Sequence, residues 1–303
     1  MFRRTLVTAL LCASALPAAA QQNRYDDRDL SRVDTTYAFD RRGTVSLTLY
    51  QGEIIVTAWN RDEVRVRARA ERNGIRMEAS PSRLTLELQR PRSGDTRFEV
   101  TVPIGVKVVA RSQQGDISIT GTRGGVELNS WGGDIRVEDV TDMTDITTLS
   151  GDITARGLSG HVEVRTTSGS VTLSDVKGDI EAASVSGDID LKGIIARYVR
   201  ARSTSGDIGY DGVVDSTGRY ELGSHSGGIT LSIPATTGAQ LTVATYTGAI
   251  ESDFPITLKP GEHGFGATKR FTFDIGKGDA RISAESFSGD ITIRSKGRSP
   301  RDR

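Results

Sequence analysis

A glycine beat limits what this chain can fold into more than any other feature. Counted in nines from Gly115, the frame meets Gly124, Gly133, Asp142, Gly151, Gly160, Gly169, Gly178 and Gly187 without a gap. The third and fifth places of each nonapeptide are mostly apolar, as in Ile117 and Ile119, Val126 and Leu128, Ile135 and Val137, Val162 and Val164, Val171 and Leu173, Ile189 and Leu191. Alternation at i and i+2 is the period of a strand with one buried face. No stretch beyond residue 20 sustains the i, i+3, i+4 spacing of a helix. Two kinds of nonapeptide alternate: Gly-Asp-Ile-x-Leu types at 133–141 and 169–177, and x-x-Val-x-Val-x-Thr-x-Ser types at 160–168. The true repeat is therefore eighteen residues. It returns with small insertions at Gly206, Gly227, Gly248 and Gly289, and appears early at Gly52.

A repeat this short cannot close its own core, so each copy must pair with copies above and below, roughly 4.8 Å away. The expected fold is all-β: a single-stranded β-helix or β-solenoid with eighteen-residue coils, wound right-handed. A sandwich or jelly roll also uses regularly spaced short strands, but unbroken phasing favours the solenoid. The solenoid is expected over 43–294, after an N-terminal segment at 21–42. Residues 61–105 keep strand alternation but lose the Gly-Asp punctuation, so they read as irregular early coils or a capping sheet. Exposed solenoid edges call for such caps. Residues 257–279, rich in glycine, read as a loop excursion, and the basic stretch 295–303 as a disordered tail.

Residues 1–20 are set apart from the fold. Arg3 and Arg4 precede an apolar run from Thr5 to Leu16, and Ala18-Ala19-Ala20 offers a small-residue cleavage site. This is the pattern of a secretory signal peptide, too short to span a membrane. Cys12, the one cysteine, leaves with it, so stability rests on burial and backbone pairing without disulfides. The chain is expected in the periplasm or at the cell surface. Lys plus Arg and Asp plus Glu balance at 39 each, so no nucleic-acid partner is expected. No other stretch is apolar enough for a transmembrane helix. The 34 glycines against 8 prolines fit many tight turns rather than a disordered linker.

The phrase Ser-Gly-Asp-Ile at 150–153, 186–189, 205–208 and 288–291, with the lead-in Phe-Glu-Val-Thr-Val-Pro at 98–103, resembles the bacterial "putative adhesin" family of exported β-solenoid domains of unknown function. The resemblance runs from about Val45 to Arg294. It implies an exported solenoid and brings no catalytic or binding residues with it.

Stacking turns each repeat position into a column. The column after the corner glycine holds Asp116, Asp134, Asp152, Asp188 and Asp207, interrupted by Ser170 and Gly228. Two readings compete. In one, Asp bonds its carboxylate to a nearby backbone N–H while the chain turns, and Gly supplies positive φ. In the other, the carboxylates form a calcium ladder. Turn chemistry is the better reading, because calcium rolls supply several oxygens per turn. No cofactor is expected. His161, His225 and His263 lack metal spacing, and no Gly-x-Ser-x-Gly elbow occurs. Neighbours such as Ser224 and His225 should point to opposite faces of a strand. Arg65, Arg67 and Arg69 share one strand face, which reads as a solvated, ion-paired surface.

The column two places before the corner glycine is different. It holds Tyr50, Gln113, Trp131, Leu149, Thr167, Val185, Thr204, His225, Tyr246 and Phe287. The matching position in the other half-coil is aliphatic (Val140, Leu158, Val176, Ile194, Val213), as a core corner should be. Recurrent aromatics in a variable column read either as caps on the corner edge of the core and the terminal coils or as an exposed binding strip, with Trp131, His225 and Tyr246 as the strip's candidate residues. The function read from these features is a non-enzymatic, adhesin-like envelope scaffold or binding module for an envelope protein or glycan. The alternatives are a polysaccharide-active β-helix enzyme or a calcium-stabilised β-roll.

Overall fold

The computed structural model describes residues 32–71, 74–89, 95–255 and 269–297. The expected signal peptide with Cys12, His263, part of the excursion and the end of the tail lie outside the described residues. The described residues are all-β, in twenty-two strands joined as one sheet.

In the repeat region the strands stack in parallel, with partners eighteen residues apart. Ile135 pairs with Ile153, Ile153 with Val171, and Val171 with Ile189. On the other side Val126 pairs with Thr144, Thr144 with Val162, and Val162 with Ile180. Each rung therefore gives one strand to each of two stacks. Longer strands such as Lys107–Thr120 run round the glycine corner and join the stacks. The pairing satisfies the backbone N–H and C=O groups along the strands of the inner rungs, and the alternation aims one apolar column after another inward. Ile135, Val162, Val171 and Ile189 are all at most 1% exposed.

The aliphatic corner opposite the glycines holds Val140, Leu158, Val176 and Ile194, all buried. Val213, expected to continue it, is 52% exposed. The register shifts between Lys192 and Ile194 and again between Ala196 and Tyr198, so Ile194 pairs with Gly212 and Val213 slips outward. Tyr210 takes the vacated volume: its hydroxyl lies 2.7 Å from where a Gly212 Cβ would stand. It packs edge-on against Tyr220, with centroids 5.6 Å apart. The Tyr220 hydroxyl donates to the Ala196 carbonyl at 2.6 Å and accepts from the Asp215 N–H at 2.8 Å, bracing the bulge. Burial pushes both phenol pKa values up, which keeps them protonated donors.

At the N-terminal end the strand Thr44–Trp59 is the first complete rung. Behind it lie two separate parallel strands, Arg83–Leu88 and Thr96–Pro103. Three antiparallel strands close the end: Ile75–Ser80 on Arg83–Leu88, Glu63–Ala70 on Thr96–Pro103, and Arg32–Ala38 on Glu63–Ala70. The described part of 61–105 thus contributes two parallel and two antiparallel strands to this end. Arg65 and Arg69 sit within 3.6 and 3.9 Å of Asp34 and Asp95, an ion-paired outer face.

At the C-terminal end the stack leaves chain order. The strand Ile208–Ser226 pairs with Ala280–Ser286, and that strand pairs with Ala239–Thr245. In the other stack Ile229–Pro234 pairs with Ile291–Lys296, which pairs with Ile250–Ser252. The last rung of the chain is thus wedged between the two that precede it. The excursion at 257–279 is not simply a loop: its strand Lys269–Ile275 lies antiparallel on Ala239–Thr245. The expected tail also begins later than 295. Ser295 and Lys296 pair with Ile233 and Pro234, and the Lys296 ammonium contacts Asp211.

Candidate binding edge along the glycine corner

The corner glycines stack directly on one another. A Cβ on Gly151 would stand 2.1 Å from the Gly133 carbonyl oxygen, one on Gly169 2.2 Å from that of Gly151, and one on Gly187 2.1 Å from that of Gly169. Gly151 and Gly169 also have φ of 115° and 130°, whereas Gly187 has no positive φ. Backbone contact therefore requires glycine even where the dihedral does not, which adds to the φ argument made from sequence.

The aspartate column differs from the expected turn chemistry in one respect. Each carboxylate accepts a backbone N–H from the next rung, not from its own turn. Asp116 accepts from Asp134 at 2.8 Å, Asp134 from Asp152 at 3.0 Å, and Asp152 from Ser170 at 2.8 Å. Asp188 accepts from Asp207 at 2.8 Å, and Asp207 from Gly228 at 2.7 Å. The corner turns the chain out of regular pairing, and the carboxylate satisfies the N–H this leaves over. One oxygen of each of the five candidate cation ligands is thus already engaged. Among the described residues no group of three or more His, Cys, Asp or Glu is placed to hold a metal ion.

A hydroxyl column beneath the corner went unnoticed in the sequence. Ser130, Thr148, Thr166, Ser203, Ser224, Ser286 and Thr245 each stand three places before a corner glycine and are buried. Each donates to a corner carbonyl, for example Ser224 to Gly206 at 2.9 Å and Ser286 to Gly227 at 2.9 Å. The recurring Ser or Thr before Ser-Gly or Thr-Gly was the available signal. It also separates Ser224 from His225: the serine points inward to a carbonyl, the histidine outward to solvent.

The column two places before the glycine is exposed along the edge. Trp131 is 67% exposed, Leu149 54%, Val185 51%, Phe287 50% and Tyr246 40%. His225 is exposed as well, while Tyr50 is half-buried. Two of the three candidate residues come together through a third. His225 stacks on Phe287 with centroids 4.9 Å apart and planes at 12°, and Phe287 stacks on Tyr246 at 4.9 Å and 4°. Their backbones are tied: Ser288 N–H donates to the His225 carbonyl at 2.9 Å, and Tyr246 N–H to the Phe287 carbonyl at 3.2 Å. Trp131 stays apart, five rungs or about 24 Å along the same edge. Sequence reasoning placed Phe287 in this column but not between His225 and Tyr246, because the wedged rung puts it there.

Among the described residues no helix is long and apolar enough to cross a membrane. Nothing among curated proteins matches the chain. Three solved structures are similar to it: a putative adhesin from Bacteroides fragilis (14% identity, 86% of this chain and 96% of that one, TM-score 0.36), a putative adhesin from Parabacteroides merdae (12%, 88% and 97%, 0.28), and a putative cell adhesion protein from Clostridium sporogenes (11%, 88% and 100%, 0.22). The model of the Toastrack DUF4097 family, a domain of unknown function, matches residues 51–294. Those residues take in the glycine corner, the aspartate column and nearly every rung: the chain belongs to the Toastrack DUF4097 family.

Proposed function

We propose that this chain is an exported, non-enzymatic β-solenoid that serves the cell envelope as an adhesin-like binding module or scaffold, with the glycine-corner edge as its binding strip. The observation that carries this is the exposed stack of His225, Phe287 and Tyr246 on a backbone-paired corner. Rings already fixed by stacking lose little freedom when a partner covers them. Trp131, Leu149 and Val185 extend the apolar edge toward the N-terminal rungs. Phe287 has a ring on either side of it, so it offers its edge rather than an open face. Sugars stack on open faces; a narrow apolar ridge suits a groove on an envelope protein better.

The eighteen-residue parallel step supports the finer architecture, a right-handed single-stranded solenoid over 43–294 with a cap at 61–105. Parallel crossover connections are right-handed almost without exception. The charge, apolar run and small-residue site of residues 1–20 support export to the periplasm or the cell surface.

The test is retention of the purified protein on envelope material from the cells that make it. Trp131→Ala with Tyr246→Ala, and Phe287→Ala alone, should each reduce retention roughly tenfold, the scale of a lost aromatic anchor, with circular dichroism unchanged. Equal retention by all variants would remove the edge as the binding strip. Saturable turnover of a polysaccharide by the pure protein would overturn the non-enzymatic reading.

A further inference from the structure

Three neighbouring strands at the N-terminal end set a row of arginines on one outer face. Arg32 of the strand Arg32–Ala38 stands opposite Arg69 of Glu63–Ala70, and Arg69 opposite Arg97 of Thr96–Pro103. Side chains directly opposite one another on antiparallel strands are about 5 Å apart at their Cβ atoms, and like charges there repel. The next outward row, two residues along, holds Asp34, Arg67 and Glu99. The row after it holds Thr36, Arg65 and Thr101. Beyond Arg97 the first row continues to Glu53 on Thr44–Trp59.

The ion pairing of this face is incomplete. Arg97 holds two carboxylates, Glu99 at 2.6 Å and Glu53 at 2.7 Å. Asp34 meets Arg65 at 3.6 Å, and Asp95 meets Arg69 only at 3.9 Å. Arg67 lies between Asp34 and Glu99 in register yet pairs with neither. Arg32 has no ion pair among the described residues either. Five arginines (Arg32, Arg65, Arg67, Arg69, Arg97) thus face four carboxylates (Asp34, Glu53, Asp95, Glu99), and the carboxylates are drawn to Arg65 and Arg97. The charge left over collects at Arg32, Arg67 and Arg69. That corner is concave: a depression of about 570 Å³ is lined by these three, by Arg97 and by the engaged Asp34 and Glu99. Arg32, Arg67 and Arg69 are all exposed to it.

We propose that this depression binds a phosphate group able to carry two charges, either inorganic phosphate or the phosphate monoester of a lipid headgroup. A guanidinium is a planar fork that gives two parallel N–H bonds to neighbouring oxygens of one anion. Two forks without an ion pair and a third held loosely offer more donors than a carboxylate can use, since it has two oxygens and one charge. A tetrahedral dianion spreads its oxygens over all three forks and relieves the repulsion along the arginine row. The site uses none of the residues of the aromatic edge, so it stands or falls apart from the binding strip proposed above.

Isothermal titration calorimetry of the full chain at fixed ionic strength tests this, with sodium phosphate as the probe and sodium acetate as the control. Phosphate should bind saturably, and more tightly at about pH 8 than at about pH 5, because its second ionisation adds charge while arginine stays cationic throughout. Acetate should give no saturable heat. Arg67→Gln should weaken phosphate binding about tenfold, the scale of one lost charge-assisted bond. Arg67→Lys should recover only part of the loss, because an ammonium keeps the charge without the fork. Flotation with lipid vesicles separates the two sources. Retention on phosphatidylcholine vesicles that contain phosphatidic acid, and not on phosphatidylcholine alone, assigns the site to a headgroup; phosphate binding without retention assigns it to the free ion. No saturable phosphate binding by the unaltered chain would overturn the proposal. So would acetate binding as tightly as phosphate, or an Arg67→Gln variant that binds phosphate unchanged. The first two of these outcomes need no variant to fold.

Discussion

The middle rungs and the last rungs are built from the same nonapeptides, yet they stack by different rules. Between Lys107 and Ser205 each rung lies on the one before it in the chain. Beyond Ile208 the order is broken by the rung 280–296, which sits between 219–234 and 239–252. The local features do not change across the break. A Cβ on Gly289 would meet the Gly227 carbonyl at 2.1 Å, and one on Gly248 the Gly289 carbonyl at 2.0 Å, as in the middle. Asp290 accepts the Ala249 N–H at 2.8 Å, just as Asp116 accepts that of Asp134. The repeat therefore encodes the shape of a rung and leaves its place in the stack open. Every rung offers the same glycine corner and the same apolar columns, so any two rungs can pair.

The largest effect expected in testing this comparison comes from a buried charge. Val171 and Ile291 are both fully buried. Val171→Asp in the middle and Ile291→Asp in the wedged rung should each cost about 4 kcal/mol, since neither carboxylate has a partner inside. Chemical denaturation reads both. Comparable losses would show the wedged rung to be as integral as the middle; a near-normal transition for Ile291→Asp would break the equivalence.

A smaller effect follows from the corner. Gly151→Ala meets both a positive φ and a carbonyl at 2.1 Å, whereas Gly289→Ala meets the contact alone. We expect about 3 kcal/mol for the first and about 2 kcal/mol for the second, with the difference reporting the dihedral strain. Equal costs in thermal unfolding would mean that contact alone decides.

The smallest effects belong to the aspartates. Asp152→Ala and Asp290→Ala each remove one solvent-exposed bond between rungs, worth about 1 kcal/mol or less. Millimolar calcium should leave the melting temperature where a chelator leaves it, because an ion that bound only the folded state would raise it. A rise of several degrees would restore the cation-ladder reading.

The sequence by itself determined the unit. Its period of nine, the alternation within each nonapeptide and the glycine frame marked out the parallel stacks, the inward columns at Ile135, Val162, Val171 and Ile189, and the column that faces solvent. These are readable because they depend on spacing along one chain. Where a position depends on a neighbour distant in sequence, reading failed. Val213 looked like a core corner until Tyr210 took its volume. The aspartates looked like local turn residues, yet their N–H partners come from the next rung. Phe287 was one member of a list until the wedged rung set it between His225 and Tyr246. Tertiary structure alone decided these, because rungs of one pattern carry almost no local record of which rung they will meet. The choice rests on small differences in packing, pairing and end-capping, summed over the whole stack.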